Sequence, residues 1–278
     1  MDPVESWNRD LAGWDVPQEL LADGAEPSHR FDAGLCNRQT DEGMGTETPS
    51  RRRAREALPD GGTVLDVGCG AGAASLSLAR TAATVRLPGA PAAVRVVGVD
   101  RQEDMLAAFA GRAERVGLPH AEIHGGWPDV ASAAPVADVV VCHHVLYYVG
   151  SLAPFVLALT GHASRRVVVE MPAEHPMAWL RPLWQRLHGL ERPTRPTLDD
   201  ALGALRQLGL SVELERWSTP SSWRHDDDQF IGHIRRRLCL PAHREGEVRE
   251  LLLGLGLPSG DRQMATLWWS PPRAASAT

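Results

Sequence analysis

Val64-Leu65-Asp66-Val67-Gly68-Cys69-Gly70-Ala71-Gly72 is the stretch on which the reading of this chain turns. Thr63–Val67 is an apolar run, and glycines at alternate positions after it let the backbone turn sharply and approach a ligand closely. An amphipathic pattern follows through about Arg80, so the segment reads as strand, tight turn and helix. A helix entered in this way presents free N–H groups and a positive dipole end to an anionic or polar group. Dinucleotide sites use such a turn as well, in the pattern GxGxxG with an acid about 20 positions on. Here the third glycine comes one position early and Asp66 precedes the first. That acid would repel a pyrophosphate but suits an ammonium or sulfonium group.

Outward from this turn, strand-like runs recur at 94–99, 121–124, 138–142 and 166–170, each apolar enough for burial on both faces of a parallel sheet. Helical patterns lie between or after them, at 103–116, 152–162 and 198–208. Alternation of this kind predicts an α/β doubly wound sheet. Two later strands, 211–217 and 264–269, flank a segment with helices near 227–238 and 245–254. The expected organisation is an N-terminal arm or lid over 1–50, poorly ordered, and one domain over 51–278 with inserts at 171–197 and 219–262. The run LPGAPAA at 87–93 is expected to be a surface loop.

Composition narrows the partners. The 29 basic and 35 acidic residues give a net charge of −6, which supplies no global field for a polyanion, so no nucleic-acid partner is expected. Residues 1–50 hold 11 acids and 3 arginines, which favours a neutral or cationic small molecule over an anionic one if the arm closes over a site. The four cysteines are scattered without CxxC spacing, as in a reducing cytosol. No apolar stretch reaches the roughly 18 residues of a membrane span, and the start carries acids where a signal peptide has a basic then apolar run. A soluble, cytoplasmic protein with no membrane contact is expected. No HExxH or CxxC occurs, and the histidine pair His120 and His124 falls on a strand-like run where the i, i+4 spacing does not share a helical face, so no metal site is expected. The run Arg235-Arg236-Arg237 reads as a solvated helix face.

The segment VLDVGCGAGAASLSLA resembles the first motif of the class I S-adenosylmethionine (SAM) dependent methyltransferases, an acid followed by x-Gly-x-Gly-x-Gly. VVGVD ending at Asp100, GGWPD at 125–129 and ADVVVCHHVLYYV from Ala137 follow in the order of that family's next motifs. The resemblance covers roughly residues 55–217 and points to the small-molecule branch called methyltransferase type 11, with similarity to an actinobacterial group. It implies the class I methyltransferase fold, a Rossmann-like seven-stranded sheet with helical inserts and the N-terminal arm. It also implies S-adenosyl-L-methionine as cofactor and transfer of its methyl group to a small molecule. RNA or protein methylation and a SAM-binding module without catalysis stand as alternatives, with a nicotinamide oxidoreductase third.

Residue roles carried over from the resemblance are as follows. Gly68, Cys69, Gly70 and Gly72 wrap the methionine part of SAM, and Asp66 reaches its ammonium. Asp100 accepts both ribose hydroxyls, as one carboxylate matches two vicinal donors; as a residue it also suits a helix N-cap. Arg101 and Met105 border the adenine, with Gly126 and Trp127 on its other side. Cys142, His143 and His144 lie near the transferable methyl, with His143 the first choice for a base and His144 the second. Neighbours on a strand point to opposite sides, so one of the two histidines is expected to face the cofactor. Tyr147, Glu170, His175 and Trp179 are candidates for the acceptor pocket; each equally suits a structural role.

Overall fold

The structure, a computed structural model, describes residues 2–21, 40, 46–82, 93–220, 227–258 and 260–272. Strands β1 (Thr63–Val67), β2 (Arg95–Asp100), β3 (His120–His124), β4 (Ala137–His143), β5 (Ala163–Pro172), β6 (Glu213–Thr219) and β7 (Arg262–Trp269) form one sheet. Its order is β3-β2-β1-β4-β5-β7-β6, with the first five strands parallel and β7 antiparallel to both β5 and β6. The chain runs from β1 outward to β3 and then returns to place β4 on the other side of β1. A crevice opens at the carboxyl ends of β1 and β4, the place where ligands bind in sheets of this kind.

Period-two alternation decides which side chain joins which layer. Leu65, Val67, Val97, Val99, Val140, Cys142, Val167 and Val169 enter one core layer, and Val64, Val96, Val139, Val141 and Val168 the other. Helices α2 (Pro49–Ala57), α3 (Ser75–Ala82) and α4 (Glu103–Arg115) cover the second face. Helices α5 (Leu152–Gly161) and α7 (Leu198–Gln207) cover the first. Helix α6 (Arg181–His188) sits in the insert after β5 and packs Leu183 and Trp184 against α8 (Asp228–Arg237) and α9 (Glu245–Gly254) in a separate apolar cluster.

The N-terminal segment departs from the expected poorly ordered arm. Pro3–Ala12 is a helix, α1, whose N-cap Asp2 accepts from the backbone of Val4 and Glu5. Trp7 is fully buried in the first core layer and stacked on Tyr147 at 5.4 Å. Burying this indole together with Leu11 and Trp14 offsets part of the ordering entropy of the segment. Two polar contacts fix its place: Val4 N–H donates to Gln207 Oε1 at 3.0 Å, and Leu152 N–H donates to Asn8 Oδ1 at 3.1 Å. Residues 22–39 and 41–45 of the expected arm, and 87–92 of the expected surface loop, lie outside the described residues. Among the described residues, no helix is long and apolar enough to cross a membrane.

Candidate active site

A cleft of about 1190 Å³ opens at the crevice, lined from one side by the glycine turn and from the other by the ends of β4 and β5 and by both inserts. At the glycine turn, Gly68 and Cys69 donate their N–H groups to Val99 O at 2.8 and 3.0 Å, which ties the loop to the end of β2. Gly70 has φ +49°, and a Cβ built there meets nothing within 4 Å, so the position faces open cleft. Gly72 has φ +90°, but its Cβ would lie 2.4 Å from Leu76 and 3.0 Å from Phe109. The third glycine of the motif therefore serves helix packing and does not line the cleft, a correction to its expected cofactor role.

Asp66 sits under the turn, 1% exposed, accepting from Ser75 Oγ at 2.6 Å. Burial pushes its carboxyl up to about 7, the Ser75 bonds restraining the rise and the charge of Asp100 adding to it. Asp100 ends β2, accepting from Gly70 N–H at 2.8 Å on Oδ2 and from Gln102 N–H at 2.9 Å on Oδ1. It is not the N-cap of α4, a place held by Gln102. Each carboxylate oxygen has a second lone pair, and Asp100 lines the cleft, so the geometry leaves it able to accept two further donors.

Arg101 and Met105 also line this end. Gly126 does not: the Arg101 guanidinium lies over it, with Nε 2.9 Å from a built Cβ, and Gly125 lines the cleft instead. Trp127 reaches the cleft but is mainly core, its Nε1 donating to Phe155 O at 3.2 Å and its ring edge-on to His162. Cys142 is fully buried in the first core layer and absent from the lining, because strand alternation sends it into the same layer as Val140. Burial holds its thiol protonated, and it cannot stand beside a transferable group.

The other end centres on Glu170. This carboxylate is 7% exposed and lies 3.1 Å from His144 Nε2, 3.9 Å from His143 Nδ1 and 3.3 Å from Thr48 Oγ1. Burial alone would raise its pKa, yet the two imidazoles and the Ser50 hydroxyl outweigh that and hold it below the usual carboxylate range. Burial pushes His143 down to about 4 against the attraction of Glu170, with His144 and Arg51 lowering it further. Both histidines line the cleft, which corrects the alternation argument. His144 follows the last residue of β4 and has φ +62°, so the strand rule no longer governs where it points.

Tyr147 is structural, its hydroxyl donating to Pro172 O at 3.2 Å and its ring under Trp7; Tyr148 lines the cleft in its place. His175 lines the cleft while stacked on Trp14 at 3.9 Å, and its Nδ1 accepts from Met177 N–H at 3.2 Å. Burial, with Arg192 and Arg237 nearby, drives it down to about 3. Trp179 borders the cleft and stacks on Phe230.

Several lining residues carry no sequence motif: Thr48, Arg51, His233, Arg237 and Arg262. Arg51 reaches from α2 to Ala73 O at 2.8 Å and so braces the glycine turn. The arginine run on α8 is not a solvated face, since Arg237 is buried and Arg235 bonds Glu245 and Leu240 O. The signal was present: Phe230, His233, Ile234 and Arg237 share one helical stripe.

Residues 58–161, which hold the glycine turn, Asp100 and the end of β4, match a family described as methyltransferase domain. That stretch of the chain is similar to a methyltransferase domain. Solved structures with the same fold extend the likeness beyond it. A SAM-dependent methyltransferase from Geobacter sulfurreducens, in complex with S-adenosyl-L-homocysteine, is 17% identical, with 93% of this chain and 99% of that one covered at a TM-score of 0.53. Its counterpart from Thiobacillus denitrificans, in the same complex, is 16% identical, with 87% and 99% covered and the same TM-score of 0.53. Magnesium protoporphyrin IX methyltransferase from Synechocystis with bound SAH is 17% identical, with 97% and 100% covered at 0.51. Comparison with curated proteins returns no match. At these identities the solved structures speak for the fold, which is that of class I methyltransferases.

Proposed function

We propose that the protein is a SAM-dependent methyltransferase of the small-molecule branch, acting on an acceptor held between the ends of β4 and β5 and the two inserts. The observation that carries this reading is the cradle at Gly70. The domain's glycine turn leaves open space there, flanked by two carboxylates, Asp66 and Asp100, whose chemistry fits an ammonium and a ribose diol. SAM supplies a methyl group on a sulfonium whose leaving group departs neutral. Asp66, Gly68 and Gly70 would hold its methionine part, Asp100 its ribose, and Arg101, Met105 and Trp127 the base.

Such a transfer needs alignment of nucleophile and methyl carbon and exclusion of water, and positioning alone supplies several kcal/mol. The inserts serve that end by walling the cleft with His175, Met177 and Trp179 from one and His233 and Arg237 from the other. A wall built of separate loops suits a small molecule, and the net charge of −6 disfavours RNA. Calorimetry with SAM, S-adenosyl-L-homocysteine and NAD tests the cofactor, with binding of the first two expected and of NAD alone fatal. Incubation with labelled SAM and fractions of a cell extract tests the acceptor class. Label in a small-molecule product is expected; label in the RNA or protein fraction would replace that part of the reading, and binding without transfer would leave a non-catalytic module.

A further inference from the structure

The group around Glu170 goes beyond what cofactor binding requires. A buried carboxylate is costly unless paired, and here it is faced by His143 from β4, by Arg51 and the Ser50 and Thr48 hydroxyls from the start of α2, by Arg262 from β7, and by His144. His144 is bound to Glu170 twice. Its backbone N–H donates to the Glu170 carbonyl at 2.7 Å, and its Nε2 lies 3.1 Å from Oε1. That double grip holds a residue with a Cβ in left-handed backbone, which L side chains rarely adopt. Strain held in place by its surroundings is a pointer to an orientation that matters.

Chemistry assigns the tautomer. Facing an ionised carboxylate, Nε2 carries the hydrogen, which leaves the lone pair on Nδ1. The His144 side chain is 45% exposed in the cleft wall, which gives a ligand access to the ring and its proton a route to solvent. His143 is the poorer base: its Nδ1 stands 3.9 Å from Glu170, beyond hydrogen-bond reach, and burial suppresses its protonation.

The geometry points to His144 as the group that takes the acceptor's proton, with Glu170 as its positioning residue, and hence to a hydroxyl oxygen as the atom methylated. The inference rests on the methyltransferase reading. In the step, the hydroxyl O–H bond breaks and its proton passes to Nδ1 of His144. The oxygen forms the bond to the methyl carbon, and the electron pair of the broken carbon–sulfur bond stays on sulfur. The imidazolium pairs with Glu170 until it loses the proton to water. An amine attacks through its own lone pair and sheds its proton afterwards, a carboxylate has none to lose, and a thiol ionises unaided near about 8.5. Among heteroatom acceptors a hydroxyl is the one that needs such a pair; an acidic carbon needs a base as well, and label on carbon would overturn the inference.

The test uses the full chain, folded as judged by circular dichroism, in two arms. Nitrogen-15 NMR of the His144 ring at about pH 8, where imidazoles are neutral, should show the hydrogen on Nε2 in the parent and in His143→Gln, and a mixture in Glu170→Gln. Hydrogen on Nδ1 in the parent, or an unchanged tautomer in Glu170→Gln, overturns the pair. If Glu170→Gln does not fold, the parent tautomer and His144→Gln carry the test. The second arm offers labelled SAM with simple phenols, alcohols, amines, thiols and carboxylates. Label on hydroxyl oxygen is expected, with turnover falling roughly 100-fold or more in His144→Gln at unchanged affinity for S-adenosyl-L-homocysteine. Label on nitrogen, sulfur or carboxylate, transfer to none while that affinity is intact, or full turnover in His144→Gln, overturns the inference. Failure to bind S-adenosyl-L-homocysteine would instead overturn the methyltransferase reading.

Discussion

The two ends of the cleft are built on different principles. At the Gly70 end, every principal group lies within a single β-turn-α unit or at the tip of the neighbouring strand: Asp66, Gly68, Gly70 and Asp100 come from 35 consecutive residues. At the Glu170 end, the wall draws on α2, the end of β4, the end of β5, the insert after it, α8 and β7. The first is a local device and the second a tertiary one. Damage to the first should therefore change ligand binding in an intact fold, while damage near the second should spread into stability.

Gly70→Val is the sharpest way to break this contrast. The added Cβ enters open cleft with no protein atom within 4 Å, so calorimetry should show S-adenosyl-L-homocysteine binding lost while the thermal transition falls mainly by the cost of left-handed backbone, roughly 1–2 kcal/mol. A variant that still binds would remove the cradle from the site. Trp7→Ala should do the reverse. Truncating a fully buried indole costs about 3–5 kcal/mol, read as a lowered denaturant midpoint, and the protein that remains folded should bind the same ligand as before. Equal loss of affinity would mean that the two ends are mechanically one.

Asp100→Ala comes next. Charge-assisted hydrogen bonds contribute about 1.5–3 kcal/mol each and two are lost, so affinity for S-adenosyl-L-homocysteine should weaken by roughly two to four orders of magnitude, with a smaller loss of stability from the Gly70 and Gln102 N–H groups left without their acceptor. The smallest effect is also the most discriminating. Asp66 has a folded-state pKa raised to about 7, so its contribution to stability is present below the unfolded value and is lost as pH rises through about 7. A ligand ammonium prefers the ionised form. Between about pH 6 and 8, then, the apo protein should become less stable while S-adenosyl-L-homocysteine binds severalfold tighter. Asp66→Asn should flatten both slopes, and parallel slopes in the parent would place the ammonium elsewhere.

The same contrast explains what was legible in the sequence. Strand periods, the glycine turn and the acid at the end of β2 are local signals, and all seven strands lie where apolar runs predict them, within a few residues at each end. Fold class and the groups gathered at the Gly70 end of the cleft followed from them. The expected arm misled because its many acids mask a short amphipathic pattern, whereas α1 turns Trp7 and Leu11 inward. His144 misled because a left-handed residue after a strand cancels the alternation rule. Arg51, Arg237 and Arg262 were invisible as site residues because what brings them to the cleft is the return of distant segments, and no spacing records that.

The placement of α1 has a consequence for how the chain is made. Its partners are Leu152 and Gln207, so α1 leaves the ribosome before the segments it docks on, 144 residues ahead of the first contact and 203 ahead of the second. At roughly 5–20 residues per second, completing that surface takes on the order of 10–40 s. The nascent chain carries an uncovered aromatic stripe over that interval, a natural handle for a chaperone that binds short apolar helices. Moving α1 to the C-terminus by circular permutation would close that window, and the gain in soluble yield without added chaperone would measure what the native order costs.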